Sequence, residues 1–235
     1  FDVKQNLLNR ILLATQSCLR RPHITLNRRS HVPLLVQGMR QLHGIDPNRL
    51  KHPGQAWEVT FENEGASDAG GPYRESLTQF CQDAHKSELG WLIECPNQKE
   101  KLGYNQDKFL PNPSQPDLSK FEFLGKLMGI AIRTKHTLDL NLPSMVWKPI
   151  TGSELDRSDL ESVDKNVVQS MQAIERDWTN VSGFLEAFGD LTFSTPSIDG
   201  SHDLELLPGG KSLRLTYENR HEFARLLEKV KLEEY

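Results

Sequence analysis

The sequence predicts an α+β fold that is mainly helical, with short strands and hairpins. Three observations carry this. Apolar residues recur at helical spacing in several stretches, most clearly in "SKFEFLGKLMGIAIRT" (Ser119–Thr134). Strict alternation occurs only in short runs: in "WEVTFENE", Trp57, Val59 and Phe61 fall on one face and Glu58, Thr60 and Glu62 on the other. Turn-forming clusters, such as "PNPSQPDLSK" (111–120) and Pro-Gly-Gly at 208–210, separate these pieces.

The 235 residues are enough for one large domain or two small ones with a sizeable core. A hydrophobic fraction of 37% and a charged fraction of 26% are those of an ordinary soluble protein, and the net charge of -4 argues against nucleic acid as the main partner. The longest apolar stretch, 121–132, is too short for a membrane span and is broken by Glu122 and Lys126. No charged-then-apolar secretory pattern opens the chain. Cys18, Cys81 and Cys95 show no paired spacing, so no disulfide framework is expected. These features point to a soluble, cytoplasmic protein.

In chain order, residues 3–20 read as an amphipathic helix with a stripe of Leu8, Ile11, Leu12, Thr15 and Leu19. "HITLNR" reads as a short strand, 33–42 as a helix, and "WEVTFENE" as a second strand. "SDAGGPYRES" turns into a helix, with Pro72 in its first turn and Asp68 placed to cap it. "GWLIECP" reads as another short strand. Ser119 and Glu122 fit a capping box at the start of the strongest helix. Gly125 and Gly129 on its edge suggest that another element packs there at close range. "LNLPSMVWKPITG" is an apolar helical or extended piece closed by Pro149 and Gly152. Beyond it, "DRSDLESVDKNVVQSMQAIE" is acidic at its start and then helical, "GDLTFSTPS" strand-like, "LELLPGGKSLRLT" a hairpin, and "YENRHEFARLLEKVKLEEY" a final helix. A domain boundary between 149 and 150 divides a larger helical part (1–149) from a smaller mixed one (150–235).

Candidate chemistry is sparse. The "DAGGPYRES" turn could bind an anion at a helix N-terminus, but it lacks the lysine, hydroxyl or third glycine of known phosphate cradles, so helix initiation is the better reading. Cys81 and His85 share a helix face, as a thiolate–imidazolium pair would. Cys81 also lies on the stripe of Leu77, where a cysteine behaves as a small buried hydrophobe. The cysteines and histidines are too scattered for a zinc site, and no cofactor motif is present. Val167, Met171 and Ile174 follow helical spacing, and Phe184, Phe188 and Leu191 follow them. Pattern alone favours a small core over an exposed groove.

Four segments, in order, are similar to the N-terminal lobe of HECT-type ubiquitin ligases. "VTFENEGASDAGGPYRESLTQF" resembles that family's strand, glycine turn and helix start, and "FEFLGKLMGIAIRTKHTLDLNLPSMVWKPITG" its central helix pair. "DLESVDKNVVQSM" resembles the opening of its small subdomain, and "LLPGGKSLRLTYENRHEF" its Pro-Gly-Gly hairpin and Thr-x-x-Asn helix start. The wording of "GGPYRES" and "GIAIRT" is closest to the giant HERC-type members. The resemblance implies a large subdomain (1–149) and part of a small subdomain (150–235) that docks a ubiquitin-conjugating enzyme. Ubiquitin would then pass to a cysteine in a C-terminal lobe outside this chain, and protein substrates would be bound by regions outside it as well. Cys18, Cys81 and Cys95 stand in Ser-Cys-Leu, Phe-Cys-Gln and Glu-Cys-Pro, unlike that lobe's Thr-Cys, so no catalytic residue is expected here. The docking surface carries over onto Val167, Met171, Ile174, Phe188 and Leu191. The alternatives are a non-catalytic interaction module of the same ancestry and a cysteine hydrolase using Cys81 and His85.

Overall fold

The alternating run and the "HITLNR" segment pair with each other. β1 (His23–Leu26) is followed by α1 (Leu34–Leu42), β2 (Glu58–Phe61) and α2 (Gly71–Ala84). Then come β3 (Leu92–Glu94), α3 (Pro96–Lys99), β4 (Phe109–Pro111), α4 (Ser119–Thr134) and α5 (Ser144–Ile150). The last part holds α6 (Arg157–Val163), α7 (Lys165–Glu175), α8 (Val181–Phe188), β5 (Ser194–Pro196), β6 (Asp203–Glu205) and α9 (Arg220–Glu234). A computed structural model describes residues 20–65 and 70–234. The amphipathic helix expected over 3–20, but for Arg20, and the expected cap Asp68 lie outside the described residues.

The chain divides into two units, one of residues 1–91 with 117–140, the other of 92–116 with 141–235. The boundary expected between 149 and 150 falls within α5, inside the second unit. Strand pairing accounts for the course of the division. β3 lies antiparallel to β4, and the Phe109 N–H donates to the Asn141 carbonyl at 2.9 Å, which ties 92–116 to the segment after 141.

In the first unit, β1 and β2 form a parallel pair with His23 opposite Glu58 and Leu26 opposite Phe61. Trp57, Val59 and Phe61 are buried together with Ile24 and Leu26, as their alternation predicts. Gly38 of α1 lies so close to the Phe80 ring of α2 that a β-carbon there would overlap it. The start of α1 has no cap of its own. The buried carboxylate of Asp83, on α2, accepts the Leu35 N–H at 3.0 Å and pairs with Lys86 at 2.6 Å.

The start of α2 follows the sequence reading in outline: Gly70 takes the left-handed conformation, with φ of 100°, and Pro72 sits in the first turn. Two expectations for α4 need correction. Ser119 is already inside the helix, so it forms no capping box with Glu122. Asp117 instead accepts the Ser119 N–H at 3.1 Å and its hydroxyl at 2.5 Å. Gly125 and Gly129 face open space, with nothing among the described residues within 4 Å of where a β-carbon would sit.

In the second unit the stretch read as acidic and then helical forms two helices that meet at Asp164, whose backbone is extended (φ -141°, ψ 81°). Its carboxylate accepts the Val167 N–H at 3.1 Å and starts α7. Buried Asn97 clamps this junction, donating to the Glu161 and Ser162 carbonyls at 3.1 Å and accepting the Lys165 N–H at 2.8 Å. Arg157 of α6 bridges Glu175 of α7 and Glu228 of α9.

The hairpin expected across "LELLPGGKSLRLT" is also corrected. β6 pairs back onto β5, across a turn with Gly200 at φ 69°. Residues 213–215 pair instead with 191–193, through the Thr192–Arg214 bridge. Pro-Gly-Gly enters a tight turn in which Gly210 presses on the backbone carbonyl of Phe193. A β-carbon there would collide with main chain, which cannot rotate away. Gly210→Ala is therefore expected to destabilise the unit by about 1–3 kcal/mol, measured by denaturant unfolding.

Candidate functional site

The candidate surface is built on α7, α8 and the segment entering β5. The Asn180 side chain accepts the Gly183 N–H at 2.5 Å, and this cap sets the start of α8. The helix then turns Phe184 inward, into a core with Val168, Met171, Ile174, Phe193 and Phe223. Phe184 stands edge-on to Trp178 at 5.8 Å and to Tyr217 at 5.7 Å, and Phe193 stands edge-on to Phe223 at 5.2 Å. Such ring pairs add to the stabilisation from burial alone.

The five expected contact residues divide by exposure. Met171 and Ile174 are 0% and 1% exposed, respectively, and belong to the core. A side chain with no exposed surface offers a partner nothing to touch, so the exposure expected of these two is corrected. Val167 and Phe188 are half-buried against the same core, and Phe188 packs on Trp178 at 5.7 Å. Leu191 is 43% exposed.

Three further apolar residues escaped the sequence reading. Val181 and Leu185, one turn apart on the outer side of α8, are each 45% exposed, and Leu213 is 41% exposed. Leu213 and Leu191 both belong to the segments joined at the Thr192–Arg214 bridge. α8, "VSGFLEAF", carries apolar residues over a wide arc, but no spacing in it or around Leu213 marks which of them stay exposed. Glu186 and Asp190 are exposed beside this patch.

Cys81 and Cys95 are both buried. Burial pushes the Cys81 thiol up to about 11 and the Cys95 thiol up to about 12. Nucleophilic cysteines are shifted the other way. His85 directs its Nε2–H to the Leu140 carbonyl at 2.9 Å. Cys18 lies outside the described residues. Cys81 and Cys95 are therefore expected to resist iodoacetamide near neutral pH until the chain is unfolded, with mass spectrometry reading the modified sites.

The described residues form a mainly helical α+β structure with two-stranded sheets, and Val181, Leu185, Leu191 and Leu213 stay exposed in its second unit. The HECT domain, a ubiquitin-transferase domain, matches residues 78–235, and the chain belongs to the HECT family. It is 36% identical over 198 residues to the E3 ubiquitin-protein ligase HERC2 of Mus musculus, covering 83% of this chain and 4% of that protein. It is 30% identical over 179 residues to the E3 ubiquitin-protein ligase TOM1 of Saccharomyces cerevisiae, covering 75% of this chain and 5% of that protein. To the probable E3 ubiquitin-protein ligase HECTD4 of Homo sapiens it is 26% identical over 274 residues, covering 100% of this chain and 7% of that protein. The chain thus spans only a small part of the length of these relatives. No helix among the described residues is long and apolar enough to cross a membrane.

Proposed function

We propose that this chain is the part of a cytoplasmic HECT-type ubiquitin ligase that recruits a ubiquitin-conjugating enzyme. Residues 150–235 act as the docking subdomain, and 1–149 as the larger subdomain. The observation that carries this reading is the exposed apolar surface of Val181, Leu185, Leu191 and Leu213, beside half-buried Phe188. Apolar side chains held on a packed frame suit the dry centre of an interface, and Phe188 supplies the aromatic ring that such centres favour. Val167 completes the rim, while Met171 and Ile174 hold α7 in place from below. Glu186 and Asp190 favour a partner that brings cationic residues around an apolar contact.

The contribution to chemistry is positioning. The conjugating enzyme arrives with ubiquitin on its cysteine as a thioester. In the ligase, a cysteine thiolate of a further lobe attacks the thioester carbonyl carbon. The sulfur of the conjugating enzyme leaves as thiolate, and ubiquitin passes to the new sulfur. Holding donor and acceptor together makes the step effectively unimolecular. The test is a binding titration of this chain against a panel of conjugating enzymes. Saturable binding to at least one member is expected, and no binding by any member up to millimolar concentration would contradict the proposal.

A further inference from the structure

At Arg176 the backbone leaves helical geometry (φ -58°, ψ 156°) and the chain turns from α7 towards α8. Trp178, in this connection, is held firmly. Its Nε1–H donates to the Ala173 carbonyl at 3.1 Å, and it stands edge-on to Phe184 and to Phe188. The Arg176 guanidinium lies over the indole, its central carbon 4.0 Å from the ring centroid. Phe184 is buried in the core, whereas Phe188 borders the exposed apolar surface. Trp178 thus joins Arg176 to that surface.

Arg176 is exposed, and among the described residues its guanidinium makes no ion pair and donates no hydrogen bond. Arg157, on the same unit, is by contrast bridged by Glu175 and Glu228. Stacking on an indole is favourable for a cation and holds the guanidinium in a plane. Its N–H donors then point outward around the rim, in the fork that matches the two oxygens of a carboxylate. A side chain already held this way has less rotamer freedom to lose when a partner arrives.

We propose that the docking surface extends across Trp178 to Arg176, where the guanidinium receives a carboxylate side chain of the conjugating enzyme. This rests on the docking reading above. Glu186 and Asp190, on the α8 side, attract cations, so the partner carries both signs in a set arrangement. A conjugating enzyme with lysine or arginine opposite Arg176 is repelled, which makes Arg176 a specificity-determining residue.

The test titrates the full chain, Arg176→Gln and Arg176→Glu with a conjugating enzyme from the binding panel, by calorimetry at low and high salt. At low salt, Arg176→Gln is expected to weaken binding about fivefold and Arg176→Glu about fiftyfold, both losses shrinking at high salt. Among single Asp→Arg or Glu→Arg changes in the conjugating enzyme, one is expected to weaken binding to the unaltered chain and to restore it to Arg176→Glu. A purely structural stack would instead give equal losses in both variants at every salt concentration, with no restoring change. That result overturns the proposal. So does unchanged affinity in both variants while Leu185→Asp with Leu191→Asp abolishes binding, and in that case the docking reading stands. If no conjugating enzyme binds the unaltered chain, the docking reading falls and this proposal with it.

Discussion

Replacing Leu185 and Leu191 together by aspartate is expected to abolish binding of a conjugating enzyme while leaving the chain folded. Both side chains are more than two-fifths exposed, so the free chain loses little by the change. Surface substitutions of this kind usually shift stability by no more than about 0.5 kcal/mol. In the complex each change removes an apolar anchor and buries an unpaired charge. Loss of a central anchor alone costs about 2 kcal/mol or more. The pair therefore weakens binding by about a hundredfold or more, because burying an uncompensated charge adds to that loss. Calorimetric titration reads the affinity, and far-ultraviolet circular dichroism shows that the fold is kept.

Met171→Asp produces the opposite pattern. Met171 is fully enclosed among the residues that join α7, α8 and α9. Aspartate there leaves a cavity and places a carboxylate among Phe184, Phe193 and Phe223 without a partner. The expected cost is about 4 kcal/mol or more, the range reached by few single substitutions. That is a large part of a typical domain's stability of about 5–15 kcal/mol. Denaturant unfolding reads this directly. Met171→Leu keeps volume and apolarity and is expected to cost less than about 1.5 kcal/mol. A variant at Met171 thus reports on the fold, and only variants at exposed positions report on docking.

Much of the fold was legible where local pattern and tertiary packing agree. Trp57, Val59 and Phe61 alternate and are all buried, and Pro72 marks the first turn of α2. Legibility failed where a distant partner decides. Asp164 interrupts a helix-like run because its side chain caps α7 and because Asn97, far away in sequence, fixes the junction. The Pro-Gly-Gly segment looked like a hairpin turn, yet the strand before it pairs back onto β5, and Gly210 is required by its contact with Phe193. Gly125 and Gly129 looked like a packing face and are open.

Exposure was not legible in the spacing of the second unit's apolar residues. Helical spacing picked out Val167, Met171 and Ile174, but spacing marks the buried face of a helix more readily than the exposed one. The outward-facing Leu185 and Leu213 carry no periodic signal of their own. They stand out only once burial is known.

The most direct measurement is an NMR titration of the isotope-labelled chain with a conjugating enzyme that binds it. The account predicts that the largest shift changes and broadening fall on the amides of α8, on Leu191 and on Leu213, with little change along β1 and β2. Perturbations confined to the first unit, leaving α8 and the 191–193 and 213–215 segments unchanged, would contradict it.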